Sequence, residues 1–199
     1  MCWNQSVSMN TFLFSIFAVF LSFSNGLMDN KTALSYLAFI SIQLVEYFAW
    51  GDINNKKKIE LLSKVGFTLI LLQPAISLSR LPDDKRNIMM SLYAAFILLT
   101  LTIVKPLKDI VFSMHKATNG HLAWDWLPFS LPIALIWLGF FLYYSFSINS
   151  YGVLVAVIGS FGLSYYTYYR YNTYGSMWCW ICNVLSIYLI AQVFLKEIC

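Results

Sequence analysis

The chain has 199 residues and a formal net charge of +4, and its composition differs sharply from that of a soluble protein. Hydrophobic residues make up 59% of it, aromatic residues 18% and charged residues only 11%, whereas about a quarter of the residues of a soluble domain are charged. The apolar residues form long runs, a pattern that excludes a core shielded from water by a polar surface. The composition therefore predicts a single polytopic domain surrounded by the lipid bilayer.

Seven of these apolar runs are long enough for spanning helices. A helix needs roughly 20 mainly apolar residues to cross the hydrocarbon, and continuous runs favour helices over the alternating strands of a barrel. The predicted fold class is therefore all-α, a bundle of seven transmembrane helices that occupies residues 1–199. The predicted spans lie near residues 9–27, 32–51, 59–79, 87–104, 127–147, 151–169 and 177–195.

The connectors between these spans predict how the protein lies in the membrane. With seven spans, the N-terminus and the connectors after spans two, four and six share one face, which we name side A; the opposite face is side B. Side A carries more Lys and Arg, so the positive-inside rule predicts a cytosolic N-terminus. Because these flanking residues account for the net positive charge, no nucleic-acid partner is predicted.

An acidic residue, Glu46, interrupts the second span in the stretch ISIQLVEYFAW. On a helix, Gln43, Glu46, Tyr47 and Trp50 share one face, which we expect to line the bundle interior. An acid in the membrane is costly and points by default to a proton, ion or substrate site. The same face also fits a protonated Glu46 that holds two helices together. The sequence leaves both interpretations open, a pocket for a small solute or ion and a packing contact.

Two other spans carry polar residues that are candidates for the same pocket. The stretch SMWCWICN places Trp180 and Asn183 on one face of the last span, near the membrane face that Glu46 approaches. In the third span Gln73 precedes Pro74, and a proline frees the carbonyl four residues earlier, which can open a cavity. The predicted pocket is lined by Gln43, Glu46, Trp50, Gln73, Trp180 and Asn183.

The one long connector, SMHKATNGHLAWDW and its flanks, contains both histidines of the chain. Asn119-Gly120 is a turn signal, and Trp124 at the membrane face is typical of an interfacial anchor. If this connector folds over the mouth of the bundle, His121, Trp124 and Asp125 would cover the pocket. Because histidine titrates near neutral pH, His121 would then make the site responsive to pH.

The cysteines suggest two enzymatic alternatives. Cys179-x-x-Cys182 opens the last span, but thiol redox chemistry would need a second pair, which Cys2 alone does not supply. A zinc site could be formed by Cys2, Cys179, Cys182 and His121, although their spacing is irregular. Buried small hydrophobic residues are the simpler interpretation of these cysteines. We therefore expect no cofactor and no metal, and no phosphate loop, Gly-x-Ser-x-Gly or His-Glu-x-x-His motif supports an enzyme.

Several short stretches resemble an uncharacterised family of small multi-span membrane proteins encoded by giant DNA viruses. They are MCWNQSVSMNTFLFS, QLVE, LLQP, GHLAW and GSMWCW. The resemblance covers nearly the whole chain and includes Cys2, Trp3, Gln43, Glu46, Gln73, Pro74, His121, Trp124, Ser176, Trp178 and Trp180. No activity is assigned to that family, so the resemblance implies a viral or host membrane and no particular chemistry.

The sequence alone thus favours a non-enzymatic membrane protein that binds or passes a small solute or ion, such as a proton or cation, in a polar pocket around Glu46. One alternative is a membrane-embedded redox or metal-dependent enzyme that uses Cys179 and Cys182. Another is a structural or partner-binding protein of a viral or host membrane. The oligomeric state stays open.

Overall fold

A computed structural model of the chain describes residues 4–104, 106–127, 130–176 and 178–198, and for 178–180 and 196–198 it describes the main chain alone. The described residues form seven α-helices and one short β-hairpin. The helices are α1 Gln5–Ser24, α2 Asn30–Gly51, α3 Lys56–Leu78, α4 Asp83–Leu99, α5 Leu131–Ser147, α6 Tyr151–Tyr168 and α7 Trp178–Ile198. The hairpin strands are β1 Met114–Lys116 and β2 Leu122–Trp124. The all-α prediction is confirmed for this part of the chain.

Local capping explains where the helix ends differ from the predicted ones. Helix α1 begins at Gln5 and not at residue 9, because the Asn4 side chain accepts a hydrogen bond of 2.9 Å from the Val7 N–H and caps the first turn. It ends before Gly26, whose φ of +67° breaks the helix. Helix α5 begins at Leu131 and not at residue 127, because residues 122–126 belong to β2 and the turn that follows it.

Four of the helical segments are long enough and apolar enough to cross a membrane. They are α1, α2, α3 and α4 together with the π-helical residues 100–104 that extend it. Helix α5 and residues 181–195 of α7 are shorter apolar helices. Large apolar side chains on all seven helices point outward; examples are Phe17, Leu34, Leu61, Leu92, Leu135, Val155 and Ile187. Such a surface suits lipid as a solvent and would aggregate in water.

Six of the helices form a closed ring. Helix α1 packs on α2 and α7, α2 packs on α3, α3 packs on α5, and α6 joins α5 to α7. Helix α4 lies outside the ring, against α3. Successive helices along the chain run in opposite directions, so the starts of α1, α3, α5 and α7 lie at one end of the bundle, side A, and their ends lie at side B. Within the ring, the neighbours α3 and α5 run parallel, and so do α1 and α7.

Proline in α3 is compensated by a neighbouring helix. Pro74 has no N–H, so the Ile70 carbonyl four residues earlier loses its helical donor. The Trp137 indole N–H of α5 donates to that carbonyl at 3.1 Å, and the Tyr93 hydroxyl of α4 donates to the next carbonyl, that of Leu71, at 2.6 Å. The carbonyl freed by the proline thus fixes α5 against α3.

A polar seam joins α1 to α7. Buried small residues recur on α1 at spacings of three and four, which places them on one face: Ser8, Thr11, Ser15, Ala18 and Ser22. The Ser186 hydroxyl of α7 lies 2.9 Å from that of Ser15. The seam lets the two helices approach closely without large side chains between them.

The long connector folds over side A of the bundle. Strands β1 and β2 pair antiparallel, with Met114 opposite Trp124, and Gly120 adopts a φ of +84° in the turn between them. The turn predicted from Asn119-Gly120 is therefore confirmed. The residues of β2 are buried, so the hairpin is a lid packed into the bundle and not a solvated loop.

Candidate functional site

Glu46 lies inside the bundle, near the side A end of α2. Its exposed fraction is 0%, and neither carboxyl oxygen has a hydrogen-bond partner among the described residues. A buried carboxyl without a partner is costly in either protonation state, and such groups are rare in folded proteins. These properties make Glu46 the strongest candidate for a binding group among the described residues.

Two other elements bring side chains to Glu46. The Trp124 indole N–H from β2 interacts with the Glu46 carboxyl, although the two groups do not reach hydrogen-bond geometry. The Cys182 thiol from α7 is close enough for an electrostatic interaction with the same carboxyl. We name Glu46, Trp124, Trp126 and Cys182 the Glu46 cluster. In it α2, α7 and the hairpin meet.

Trp124 and Trp126 are the aromatic members of this cluster. Their rings stack with centroids 4.7 Å apart and an interplanar angle of 14°, and both residues are almost completely buried. Two glycines make room for them: a Cβ on Gly66 would lie 3.0 Å from the Trp126 ring, and one on Gly175 would lie 2.6 Å from the Trp124 ring. Neither indole N–H has an acceptor within the residues described.

Further polar atoms flank the cluster along α2 and α3. Gln43 is fully buried one turn before Glu46, and Trp50 follows one turn after it. The Trp50 indole N–H and the Ser63 hydroxyl of α3 are also buried without a partner in the described part of the chain. The neighbourhood therefore offers one carboxyl and several unused N–H and O–H donors, a set that suits a proton, an ion or a small solute that both donates and accepts hydrogen bonds.

Two residues predicted to line the pocket instead hold helices together. The Gln73 amide donates to the Ala38 and Phe39 carbonyls of α2, at 3.3 and 3.4 Å, and Phe39 lies seven residues, or about 10 Å, from Glu46 along the helix. The Asn183 amide donates to the Thr11 hydroxyl of α1 at 3.3 Å. The structure thus places both at helix contacts, and Cys182, not Asn183, faces Glu46.

Three predicted site residues lie outside the described side chains. They are Trp180 and the cysteines Cys2 and Cys179, on which the redox and zinc alternatives depend. Cys182 itself is buried with a free thiol. Within the described ranges, no group of three or more His, Cys, Asp and Glu side chains is arranged to hold a metal ion.

The lid residues take different positions from one another. His121 is buried edge-on against the Tyr168 ring, with centroids 5.2 Å apart, and burial lowers the pKa of its imidazole below the usual value. Asp125 pairs with His115, with 3.1 Å between Oδ2 and Nδ1, so its carboxylate is engaged away from Glu46. The interpretation of Trp124 as an interfacial anchor is wrong, since that side chain is 1% exposed.

Sequence reasoning missed the stacking of Trp126 on Trp124 and the approach of Cys182 to Glu46. Strand periodicity gives no signal for Trp126, because it lies in the turn after β2. No signal existed for Cys182 either. Its approach to Glu46 depends on how α7 is rotated against α2, which the helical period alone does not determine.

A small apolar cavity lies against Trp124. It has a volume of about 40 Å³ and is lined by Ile70, Trp124, Leu127, Ala134, Trp137, Phe161, Tyr174 and Gly175. This volume exceeds the roughly 10–15 Å³ that a water-sized probe occupies. Glu46 is not among the described residues that line it.

Comparison with known proteins adds no assignment to this geometry. No protein-family model matches the chain, and searches of curated proteins and of solved structures return no match.

Proposed function

We propose that this protein is a seven-span integral membrane protein that binds a small polar solute or ion, a proton included, at the Glu46 cluster and passes it through the bundle. One observation carries the proposal. The Glu46 carboxyl is completely buried in an apolar helix bundle, and neither of its oxygens has a hydrogen-bond partner among the described residues. A ligand that supplies such a partner would remove the free-energy cost of this burial.

The outward apolar surface of the helices supports seven spans. Helices α5, α6 and α7 belong to the same ring as the longer α1, α2 and α3, and they expose large apolar side chains in the same way. A helix shorter than the hydrocarbon thickness is accommodated by local thinning of the bilayer.

The distribution of charge gives the orientation that we propose. Because side A carries the excess of Lys and Arg, the lid would face the cytosol. The membrane that we propose, viral or host, rests on the sequence resemblance alone.

The contacts around Glu46 favour a ligand over a packing role. Other side chains already form hydrogen bonds between these helices. Gln73 links α3 to α2, and both Asn183 and Ser186 link α7 to α1. An acid that served as a packing contact would make a bond of this kind. Glu46 makes none within the described chain, which is the arrangement that a binding group requires.

The lid covers the site at side A. Trp124 lies beside the Glu46 carboxyl and stacks on Trp126, and both rings pack against glycines on α3 and before α7. Entry from this face therefore requires the hairpin to move or the ligand to pass between the rings. A proton or small cation would neutralise the carboxylate once bound, which removes the cost of a buried charge.

The test is flux into liposomes that contain the purified full-length protein. Proton and alkali-cation entry would be measured for the wild type and for Glu46→Gln, which keeps the shape of the side chain and removes its charge. The matched control is Glu60→Gln on α3, whose carboxylate is exposed and paired with Lys64 at 2.6 Å. We expect flux to fall at least tenfold in Glu46→Gln and to persist in Glu60→Gln. Equal flux in all three proteins would contradict the proposal.

A further inference from the structure

A second cavity opens at the other end of the bundle, on side B. It has a volume of about 350 Å³, within the usual range for small-molecule sites, and lies where α2, α5, α6 and α7 come together around one cationic side chain, Arg80. We name it the Arg80 cavity. Its polar lining consists of Asp29, Thr32, Tyr36, Arg80, Tyr144, Ser145, Ser150, Tyr188 and Gln192.

Arg80 is held firmly at the edge of this cavity. Its guanidinium lies over the Tyr144 ring, 3.7 Å from the centroid, and its Nη2 donates to the Thr32 hydroxyl at 2.6 Å. These two contacts fix the plane of the guanidinium and therefore the direction of its remaining N–H groups. The arrangement presents a preoriented cation at the cavity.

Arg80 forms no ion pair with the described residues, and Asp29 attracts its charge only from beyond ion-pair distance. No carboxylate among them lies within 4 Å of it, and its Nε is buried without an acceptor. Partial burial also lowers the pKa of Arg80 below its usual value, because it removes part of the water around the charge. A half-buried guanidinium in this state is stabilised by an anion that accepts its free N–H groups.

The acidic residue at the rim does not fill this role. Asp29 caps α2, and its Oδ1 accepts a hydrogen bond of 2.8 Å from the Thr32 N–H. Its carboxylate is exposed and forms no ion pair with Arg80. A negative charge at the rim and a positive charge further in leave the position beside Arg80 open to another anionic group.

A narrower space continues from the cavity into the bundle. It shares Tyr36, Arg80, Ser145 and Val153 with the wider one and extends between Phe39, Val157 and Leu185 with a volume of about 40 Å³. An anion beside Arg80 would therefore have polar hydroxyls around its charged group and apolar side chains below it. This geometry fits a compact anionic group better than an extended polyanion.

We propose that the Arg80 cavity binds an anionic group, a phosphate or carboxylate, through the free N–H groups of Arg80 and the surrounding hydroxyls. The group can belong to a dissolved solute or to a lipid headgroup, because the cavity opens where the membrane meets water and the chemistry is shared. The site is distinct from the Glu46 cluster: Thr32 and Glu46 are 14 residues apart on α2, which is about 21 Å. It does not depend on the function proposed for Glu46.

The experiment follows the thermal unfolding of the full-length protein in a phosphate-free maltoside detergent. One series adds inorganic phosphate at constant pH and ionic strength, and the other adds phosphatidylglycerol to the micelles. We expect a rise in Tm of about 3 °C at a ligand concentration ten times Kd. Arg80→Gln should abolish the rise. Arg86→Gln, which removes a cation on the same face that is paired with Asp83 at 2.8 Å, should retain it.

The two series separate the possible sources of the anion. A rise with phosphate that depends on Arg80 assigns the site to a soluble anion, and one with phosphatidylglycerol alone assigns it to a lipid headgroup. The absence of any Arg80-dependent rise in both series would overturn the proposal.

If the Arg80→Gln variant does not fold, phenylglyoxal modification of arginines in the wild-type protein replaces the unfolding experiment. Phosphate or phosphatidylglycerol should slow the modification of Arg80 and not that of Arg86, and equal rates for Arg80 with and without them would overturn the proposal.

Discussion

The two ends of the bundle differ in the sign and in the accessibility of their ionisable group. On side A an acid, Glu46, is fully buried beside Trp124 of the lid and has no hydrogen-bond partner in the described chain. On side B a cation, Arg80, lies at an open cavity among hydroxyls. Both groups face the same cost of leaving water. The comparison shows that a small helix bundle can enclose one charge under an aromatic lid and leave the other accessible.

The largest expected effect concerns the lid. Trp124→Ala should destabilise the protein by about 3–5 kcal/mol, because it removes a large buried ring from a packed contact. It should also expose Cys182, so that a maleimide modifies this thiol in the variant and not in the wild type, as measured by peptide mass spectrometry.

The control for the lid is Tyr166→Ala on α6, because that side chain is 89% exposed. It should leave both the stability and the protection of Cys182 near their wild-type values. If Cys182 stays protected in Trp124→Ala, side A is closed by something other than the hairpin, and the contrast between the two ends no longer holds.

A smaller effect of opposite sign is expected at Glu46. Glu46→Leu should raise the free energy of unfolding by about 1–3 kcal/mol, because it replaces an unpartnered polar group by an apolar one of similar size. Asn183→Leu, which loses the bond to Thr11, should instead lower it. Denaturant unfolding of both variants in detergent measures the difference. A loss of stability in Glu46→Leu as large as in Asn183→Leu would favour the packing interpretation.

The smallest effect is a dependence of stability on pH. Because burial lowers the pKa of His121 in the folded state, the unfolded chain binds the proton first as the pH falls below about 6.5. The stabilisation is complete above that pH and decreases between it and the lower folded pKa, with a slope below about 1.4 kcal/mol per pH unit. His121→Gln should flatten the profile of Tm between pH 7.5 and 5.5.

His115 provides the comparison for this profile, because its side chain is 57% exposed and pairs with Asp125 at the surface of the lid. His115→Gln should keep most of the wild-type dependence on pH. A profile that His121→Gln leaves unchanged would contradict this prediction.

Part of the site was predictable from the sequence because helical periodicity is local. The spacing of Gln43, Glu46 and Trp50 predicts an interior face, and the first two are fully buried there while the Trp50 indole N–H is shielded too. Pro74 predicts a freed carbonyl, and the structure supplies its donor, Trp137. The identity of that donor was not predictable, since it comes from a residue 67 positions further along the chain.

The residues that meet at each end depend on contacts between distant segments. In the sequence, Arg80 is one of several cations that flank the predicted spans. Its guanidinium is oriented by Tyr144 and Thr32, which come from distant parts of the chain. Likewise Asn183 and Cys182 are adjacent in α7, and the rotation of that helix decides which of them faces Glu46. The rotation of each helix and its depth in the bundle depend on the sum of many small packing contacts, which the local sequence pattern does not predict.

The sequence by itself determined the helical class, the apolar surface and the placement of an acid within an apolar helix, because composition and the 3.6-residue period act locally. Tertiary structure alone decided that the connector becomes a lid, that Trp124 approaches Glu46 and stacks on Trp126, and that Gln73 and Asn183 form hydrogen bonds between helices. These outcomes require segments far apart in the chain to meet, and the free energy that selects them comes from close packing, which a one-dimensional pattern does not encode.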